Sequence, residues 1–599
     1  MLAISLAAFS LLWATPEQGG ALFNTLCATC HKDPPVNRAP LPEVLRKMTR
    51  EAILASMNTG SMREMASPVS IQQRGFIADY LTADAPPVDT MRGRCAAGFQ
   101  PAKETAAWNG WGVDVENTRF QSAAAARITP AGVMKLQLRW AFGFPGVAAM
   151  GQPTAAAGRL YFGSANGTVY STDARTGCIF WTFKAPVTVR TAITIVDGAA
   201  VFGDVEANVY ALRIGDGSVI WKVKLDEHPV ARITGAPQVH GGRVYVPVSS
   251  VEEVNGGSAK YGCCTFRGSV AALDLASGKV LWKTYTIPDP PRLRGKNRAG
   301  VEAYGPSGAA VWSAPALDLK LRRVYVGTGN AYSDPDTGHS DAIIAFDMDS
   351  GSMVWVRQLA AADRWNLACL NPNGANCPEK AGPDVDIGAS PVLKTTASGK
   401  RVLLVGQKSG VVHALDPDDS GRIVWQSRIG AGGALGGVQW GMAADERNVY
   451  AALSDVHLRE KAGGLFALKL ETGERVWYAP PSPAACGQRR GCTPAQMAPV
   501  TAIGGVVFSG SMDGVLRAYD SATGRVIWEF NTLRKFDTVN GVEASGGSLN
   551  ATGPVIAGGM LFVNSGYGVL GGMAGNVLLA FSAVEDKTTP GRSPAAGKR

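Results

Sequence analysis

No apolar run in the sequence reaches the roughly 18–20 residues that a membrane-spanning helix needs, which argues against an integral membrane protein. Charge is sparse: 18% of the 599 residues are Asp, Glu, Lys or Arg. The balance is basic, 58 against 49 for a net +9, but the cations are scattered among acids. No basic stripe interleaved with aromatics occurs, so nucleic acid is not an expected partner. Histidine is scarce, six in all, and His228, His240, His339, His413 and His457 show no metal-ligand spacing; of these only His228 is a site candidate. No Lys or Arg precedes the opening MLAISLAAFSLLWA, which has the length of an export signal without its basic start. Residues 1–15 read either as a signal whose basic portion is missing or upstream, or as a buried first helix. A hydrophobic content of 46% excludes disorder for the chain at large. Disorder is expected for the tail over 584–599.

Glycine and cysteine are plentiful. The 72 glycines are about 12% of the chain where ~7% is usual, which points to many turns and hence to β-structure. Of ten cysteines, two lie in Cys27-Ala-Thr-Cys30-His31, the CxxCH signature of c-type haem attachment. The two thiols bond the haem vinyls and His31 is the proximal iron ligand. A helix is predicted over 49–58. The loop after it, Thr59-Gly-Ser-Met62-Arg-Glu-Met65, offers the distal ligand: Met62 first, Met65 as alternative. A last helix over about 70–82 closes a small all-α cytochrome c domain, residues 16–84, and a Pro-bearing linker follows over 85–107. Haem c is attached outside the bacterial cytoplasm, so the chain is expected to be exported to the periplasm. That leaves eight cysteines for disulfides. By proximity these pair Cys263 with Cys264, Cys369 with Cys377 and Cys486 with Cys492, and leave Cys95 with Cys178.

From residue 140 onward one pattern recurs: Gly-x-Val-x-Ala-Leu-Asp-x-x-Thr/Ser-Gly-x-x-x-Trp, ending at Trp181, Trp221, Trp282, Trp355, Trp425, Trp477 and Trp528. Each copy is an alternating strand, a tight turn and a second strand. The spacing of 40 to 73 residues suits one four-stranded propeller blade with insertions. An eighth blade comes in two pieces, Gly575–Phe581 carrying the front of the pattern and Leu136–Trp140 the back. Joining the pieces closes the ring and leaves no open edge. The fold expected is therefore mainly β: an eight-bladed β-propeller over 108–583, preceded by the cytochrome c domain.

Haem domain, linker and tryptophan-docked blades resemble the quinohaemoprotein alcohol dehydrogenases, which use pyrroloquinoline quinone (PQQ) and a metal ion. Trp108-Asn-Gly-Trp-Gly, Trp140-Ala-Phe-Gly-Phe-Pro-Gly, Ala231-Arg-Ile-Thr-Gly-Ala-Pro237, Cys263-Cys-Thr-Phe-Arg-Gly268 and the stretch from Asn564 to Phe581 narrow the likeness to the polyvinyl-alcohol dehydrogenases (cytochrome) over nearly the whole chain. The resemblance implies metal ligands Glu252, Asn330, Asp384 and Asp386 for Ca²⁺. The second carboxylate, Asp386, resembles lanthanide-using members. It implies Asp384 as catalytic base, with Asp363 as rival because an insertion bearing Cys369 and Cys377 splits the motif. It implies Trp312 as the floor under the PQQ ring and Lys408 as the cation that hydrogen-bonds its quinone oxygens. Arg190, Arg232, Thr234 and Ser249 suit its three carboxylates, and the resemblance implies the Cys263–Cys264 vicinal disulfide as its cover. Gln439-Trp440 and Asn540-Gly541 complete the wall.

Two departures stand out. Cys263–Cys264 follows Glu252 by eleven residues in the same blade, where the family has it a blade earlier. A first-blade Glu of the methanol-type enzymes is replaced by Met150 or Gln152. The resemblance implies oxidation of the secondary alcohols of polyvinyl alcohol, with electrons passing through haem c to an external cytochrome c. Two alternatives are a quinohaemoprotein for another small alcohol or diol, and a non-catalytic haem-bearing scaffold, since blades alone do not make an enzyme.

Overall fold

The computed structural model describes residues 16–32, 39–46, 48, 50–58, 62–63, 65–66, 69, 71–82, 92–102, 107–146, 148–371 and 373–583. The expected apolar start, most of the linker's first half and the tail lie outside the described residues. The chain divides into two compact units, residues 1–92 with 144–147, and residues 93–143 with 148–599.

The first unit is helical. Helix α1 (Pro16–Leu22) runs into a π-helical turn at Phe23–Cys27, and α2 (Pro42–Leu45), α3 (Arg50–Asn58) and α4 (Ile71–Leu81) follow. Their apolar faces bury Phe23, Ile53, Met57, Ile77, Ala78 and Leu81 in one cluster. A Cβ at Gly19 would lie 1.9 Å from the Phe76 carbonyl oxygen, so only glycine admits this approach of α1 to α4.

The second unit is an eight-bladed propeller. Blade one is a four-stranded antiparallel sheet of Thr154–Ala156, Arg159–Phe162, Thr168–Asp173 and Ile179–Lys184. Six more sheets of the same order follow, over residues 194–224, 238–285, 316–358, 392–428, 443–479 and 501–531. Blade eight takes three strands from the C-terminal side, Val555–Ala557, Met560–Ser565 and Val577–Ala583, and its fourth, Leu136–Gly143, from the N-terminal side. The ring therefore closes as the sequence pattern requires.

The repeat is legible in the packing. Five of the seven motif tryptophans, Trp181, Trp221, Trp282, Trp425 and Trp477, donate the indole N–H across to the next blade's turn, as from Trp181 to the Ile214 carbonyl at 2.9 Å and from Trp425 to that of Leu470 at 3.0 Å. The ring covers the motif glycine of that turn: a Cβ on Gly473, at φ +71°, would sit 2.4 Å from the Trp425 ring. Trp528 meets the broken blade instead and donates to the Leu136 carbonyl.

One element carries no repeat signature. The segment from Trp108 to Gln121 bonds the first strand of all eight blades. Trp108 pairs with Ala155, Asn109 holds Ile195, and Asn117 accepts from Gln238. The carbonyls of Val115, Glu116, Thr118 and Arg119 accept from Leu317, Leu393, Ala444 and Ala502, and Gln121 donates to Ile556. Arg119 is buried in this belt, 5.2 and 5.0 Å from the rings of Trp108 and Trp111. Burial pulls its pKa down to about 9, so it stays charged at neutral pH.

All four disulfides expected from proximity form: Cys95–Cys178, Cys263–Cys264, Cys369–Cys377 and Cys486–Cys492. The first ties residues 93–95, which also pair with Ile179, to blade one.

Candidate functional site

Loops at one end of blades three to five carry the predicted residues. Blade three supplies the short helix Glu252–Asn255 and the Cys263–Cys264 pair after its strand Arg243–Ser250. Blade four supplies Asn330 after Arg323–Gly327, and blade five supplies Lys408 after Arg401–Gly406. Asp384 and Asp386 lie on the segment entering blade five's first strand.

At the centre, the buried Lys408 ammonium donates to Asp384 Oδ1 and Asp386 Oδ2, both at 2.9 Å, and lies 5.6 Å from the centre of the Trp312 ring. Asp386 Oδ1 accepts the Asn330 amide at 2.8 Å, and Asn330 Nδ2 donates to the Trp365 carbonyl. Asn330 Oδ1 is buried without a partner, an oxygen suited to a hard cation. Burial raises the Asp384 carboxyl to about 7; Lys408 opposes the rise while Asp386 and Asp363 add to it. Burial alone would lower Lys408, but Asp384, Asp386 and Glu253 hold it well above its ordinary value. Among the described residues no three acids converge on one point as metal ligands do; the lysine sits between the carboxylates instead.

The structure separates two neighbours that the sequence could not. Glu252 is fully buried but faces away from this centre. Its carboxylate accepts from Tyr261 Oη and from the amides of Thr265 and Phe266, with His228 Nε2 3.7 Å away. Glu253, one position on, is the acid whose charge meets Asp384 and Asp386. Burial and then those two carboxylates raise its pKa well above the usual range. The predicted Glu252 carboxylate is thus engaged by the Tyr261–Phe266 stretch, while its neighbour Glu253 interacts electrostatically with Asp384 and Asp386. Asp341 was also missed: it is fully buried, and burial followed by Asp363, Asp386 and Asp384 raises it strongly.

The polar residues expected around a flat anionic ligand are brought together. Thr234 Oγ1 lies 3.0 Å from Ser249 Oγ and 3.1 Å from the Trp312 carbonyl, and Ser249 pairs with Arg232 across two strands. Trp111, Met150, Arg190, Thr234, Trp312 and Trp440 line one axial cavity. The Arg190 guanidinium lies 5.2 Å from the Trp440 ring centre, with no carboxylate paired to it among the described residues. Trp312 packs against the apolar cluster that holds Cys263 and Cys264. Gly388 makes room for its ring, since a Cβ there would lie 2.0 Å from the indole. A free cation, hydroxyls and a flat indole fit a planar tricarboxylate such as PQQ. Of the wall residues, Trp440 lines the cavity, whereas Asn540 is spent on both backbone groups of Gly143 and Gln439 bonds the Gly436 carbonyl. Gln152 binds Arg119 in the belt, and Met150 lines the cavity.

In the helical unit, Cys27 and Cys30 are free thiols. His31 is buried, and its Nδ1–H donates to the Pro40 carbonyl at 2.7 Å, which leaves Nε2 available to a ligand. Met62 packs against the apolar cluster while Met65 is 65% exposed. Arg74 fastens this loop by donating to the carbonyls of Met57, Ala66 and Val69. These groups fit a haem c.

The family described as "Outer membrane protein assembly factor BamB" matches residues 137–296 and 297–571, the blades. The chain is 39% identical to a polyvinylalcohol dehydrogenase of Pseudomonas sp., over 97% of this chain and 96% of that protein. It is 38% identical to a second, from Sphingopyxis sp. (strain 113P3), over 94% and 92%. Among solved structures, the quinohemoprotein alcohol dehydrogenase from Comamonas testosteroni superposes with a TM-score of 0.60 at 19% identity, over 83% of each chain. A europium-containing methanol dehydrogenase also gives 0.60, at 17% identity, over 80% of this chain and 98% of that one. These structural likenesses show the shared propeller; the two full-length relatives show more. The chain belongs to the polyvinylalcohol dehydrogenase family, within the PQQ-type alcohol dehydrogenases.

Proposed function

We propose that this alcohol dehydrogenase oxidises the secondary alcohols of polyvinyl alcohol to ketones, with PQQ as hydride acceptor, and sends the electrons through its own haem c to an external cytochrome. The observation that carries the reading is the buried Asp384, raised to about 7 and bonded to Lys408 beside Trp312. A carboxylate with that value is matched to general-base work near neutral pH. Asp384 takes the proton of the substrate hydroxyl. Lys408 holds Asp384 in place and balances the negative charge around it. Glu253, Asn330, Asp384 and Asp386 supply the hard oxygen donors for Ca²⁺ or a lanthanide. Arg190, Arg232, Thr234 and Ser249 hold the cofactor's carboxylates, and Trp312 supports its ring. When bound, the quinone and its metal supply an electrophilic carbonyl for the hydride. Cys27, Cys30, His31 and Met62 hold the haem. Four disulfides support an oxidising compartment, the periplasm, and no helix among the described residues is long and apolar enough to cross a membrane.

The test is internal electron transfer. Purified protein loaded with PQQ and Ca²⁺ is expected to reduce its own haem when given polyvinyl alcohol. Absence of haem reduction with the polymer and with every small secondary alcohol tried overturns the reading. Asp384→Ala is expected to lower turnover by about 10³-fold or more while the haem stays attached; unchanged turnover removes Asp384 as base.

A further inference from the structure

We propose that Asp363 is a positioning residue: its carboxylate clamps the backbone of Asp384 and Val385 in a left-handed turn and thereby aims the Asp384 side chain at Lys408. The inference rests on the reading of Asp384 as base. Asp384 has φ +56°, a conformation that costs a non-glycine residue of order 1–3 kcal/mol unless the surroundings enforce it. The enforcing group is visible. The Asp384 amide donates to Asp363 Oδ1 at 3.0 Å and the Val385 amide donates to Asp363 Oδ2 at 2.6 Å. Two successive amides converging on one anion form the concave backbone nest that favours negative charge.

The clamp is itself anchored. The Asp363 side chain is fully buried, and its carbonyl accepts the Ala331 amide at 3.2 Å, next to Asn330. Ala331 in turn accepts from the Trp365 amide at 2.8 Å. Asp363 therefore joins the turn that carries Asn330 to the turn that carries Asp384, across the insertion bearing Cys369 and Cys377. Gly382 completes the fit: a Cβ there would lie 2.2 Å from Asp363 Oδ1. Both Asp363 oxygens are engaged by backbone, whereas Asp384 has one oxygen on Lys408 and the other uncommitted among the described residues. That division of labour separates the clamp from the base.

The experiment is a double-mutant cycle on the holoenzyme, read as kcat and KM with polyvinyl alcohol and with one small secondary alcohol. Asp363→Ala is expected to lower kcat about 100-fold, the loss of a misaimed group, with KM changed less than about threefold. Asp363→Asn keeps one acceptor oxygen and is expected to recover about tenfold of that loss. Gly382→Ala keeps the carboxylate but displaces it, and is expected to lower kcat in the same way, so the test survives if Asp363→Ala fails to fold. In the Asp384→Ala background, Asp363→Ala is expected to cost nothing further, because residues acting as a unit are non-additive. Multiplied losses in the double variant, or Asp363→Asn as inactive as Asp363→Ala, overturn the clamp. Full activity in Asp384→Ala instead overturns the base on which it rests, a result that the single Asp384 variant reports independently.

Discussion

His413 is buried in blade five between two glutamines, its ring nitrogens 3.2 Å from Gln407 Oε1 and 2.9 Å from Gln426 Nε2. Burial, with a smaller contribution from Arg428, pulls its pKa from 6.5 down to about 4. Above pH ~6.5 neither folded nor unfolded chain protonates it. As the pH falls from there to about 4, the unfolded chain takes up a proton that the folded protein refuses. Stability is then expected to drop by about 3 kcal/mol across that window from this residue alone. Urea unfolding at pH 7.5 and 4.0 checks this: the wild type is expected to lose that amount beyond a His413→Gln variant, and equal losses would remove the assignment. The same residue scale explains why Glu252 and Glu253 could not be told apart by offset. One step along a helix rotates a side chain by ~100°, so the first acid meets the Tyr261 and Thr265 side while the second meets Asp384. Spacing in sequence locates the turn, not which of two adjacent carboxylates faces inward. Asp363 was ambiguous for a related reason, since a base and a clamp both require a buried Asp.

At the scale of elements, the blades were readable because the contact that joins neighbours uses two residues of the same motif. The tryptophan of one copy covers the glycine of the next, so both recur in register. Helices of the first unit were expected on either side of the methionine loop, and α3 and α4 fall where expected. Asn540 was not readable, because an asparagine that replaces a strand partner looks like one that lines a wall. The docking pair gives a prediction of its own. Gly473 has φ +71° and its missing Cβ would overlap the Trp425 ring at 2.4 Å. Gly473→Ala therefore adds left-handed strain to overpacking, together about 3 kcal/mol. Gly198 also has positive φ but meets nothing within 4 Å, so Gly198→Ala is expected to cost only the backbone part, about 1–2 kcal/mol. Thermal unfolding of the two variants separates strain from docking; equal shifts would mean that the tryptophan cover contributes nothing.

At the scale of the whole molecule, two devices close the ring. One is the shared eighth blade, which the split motif announced. The other is the belt of residues 108–121, which the repeat pattern could not reveal because a segment that touches each blade once repeats nothing. Its weight rests on Arg119, buried with no acid paired to it among the described residues and donating to the Val500 and Trp111 carbonyls, Gln152 Oε1 and Thr501 Oγ1. Those acceptors belong to the belt and to blades one and seven, so the guanidinium bridges elements some four hundred residues apart in sequence. Arg119→Ala leaves several buried acceptors unpaired and opens space between two tryptophans. The expected cost is about 4 kcal/mol or more. Because the belt bonds every first strand, the loss is not expected to detach one blade. Calorimetry is expected to show one propeller transition moved to lower temperature as a whole. A separate low-temperature step with the rest unchanged would mean that the blades hold together without the belt, and that ring closure rests on the eighth blade alone.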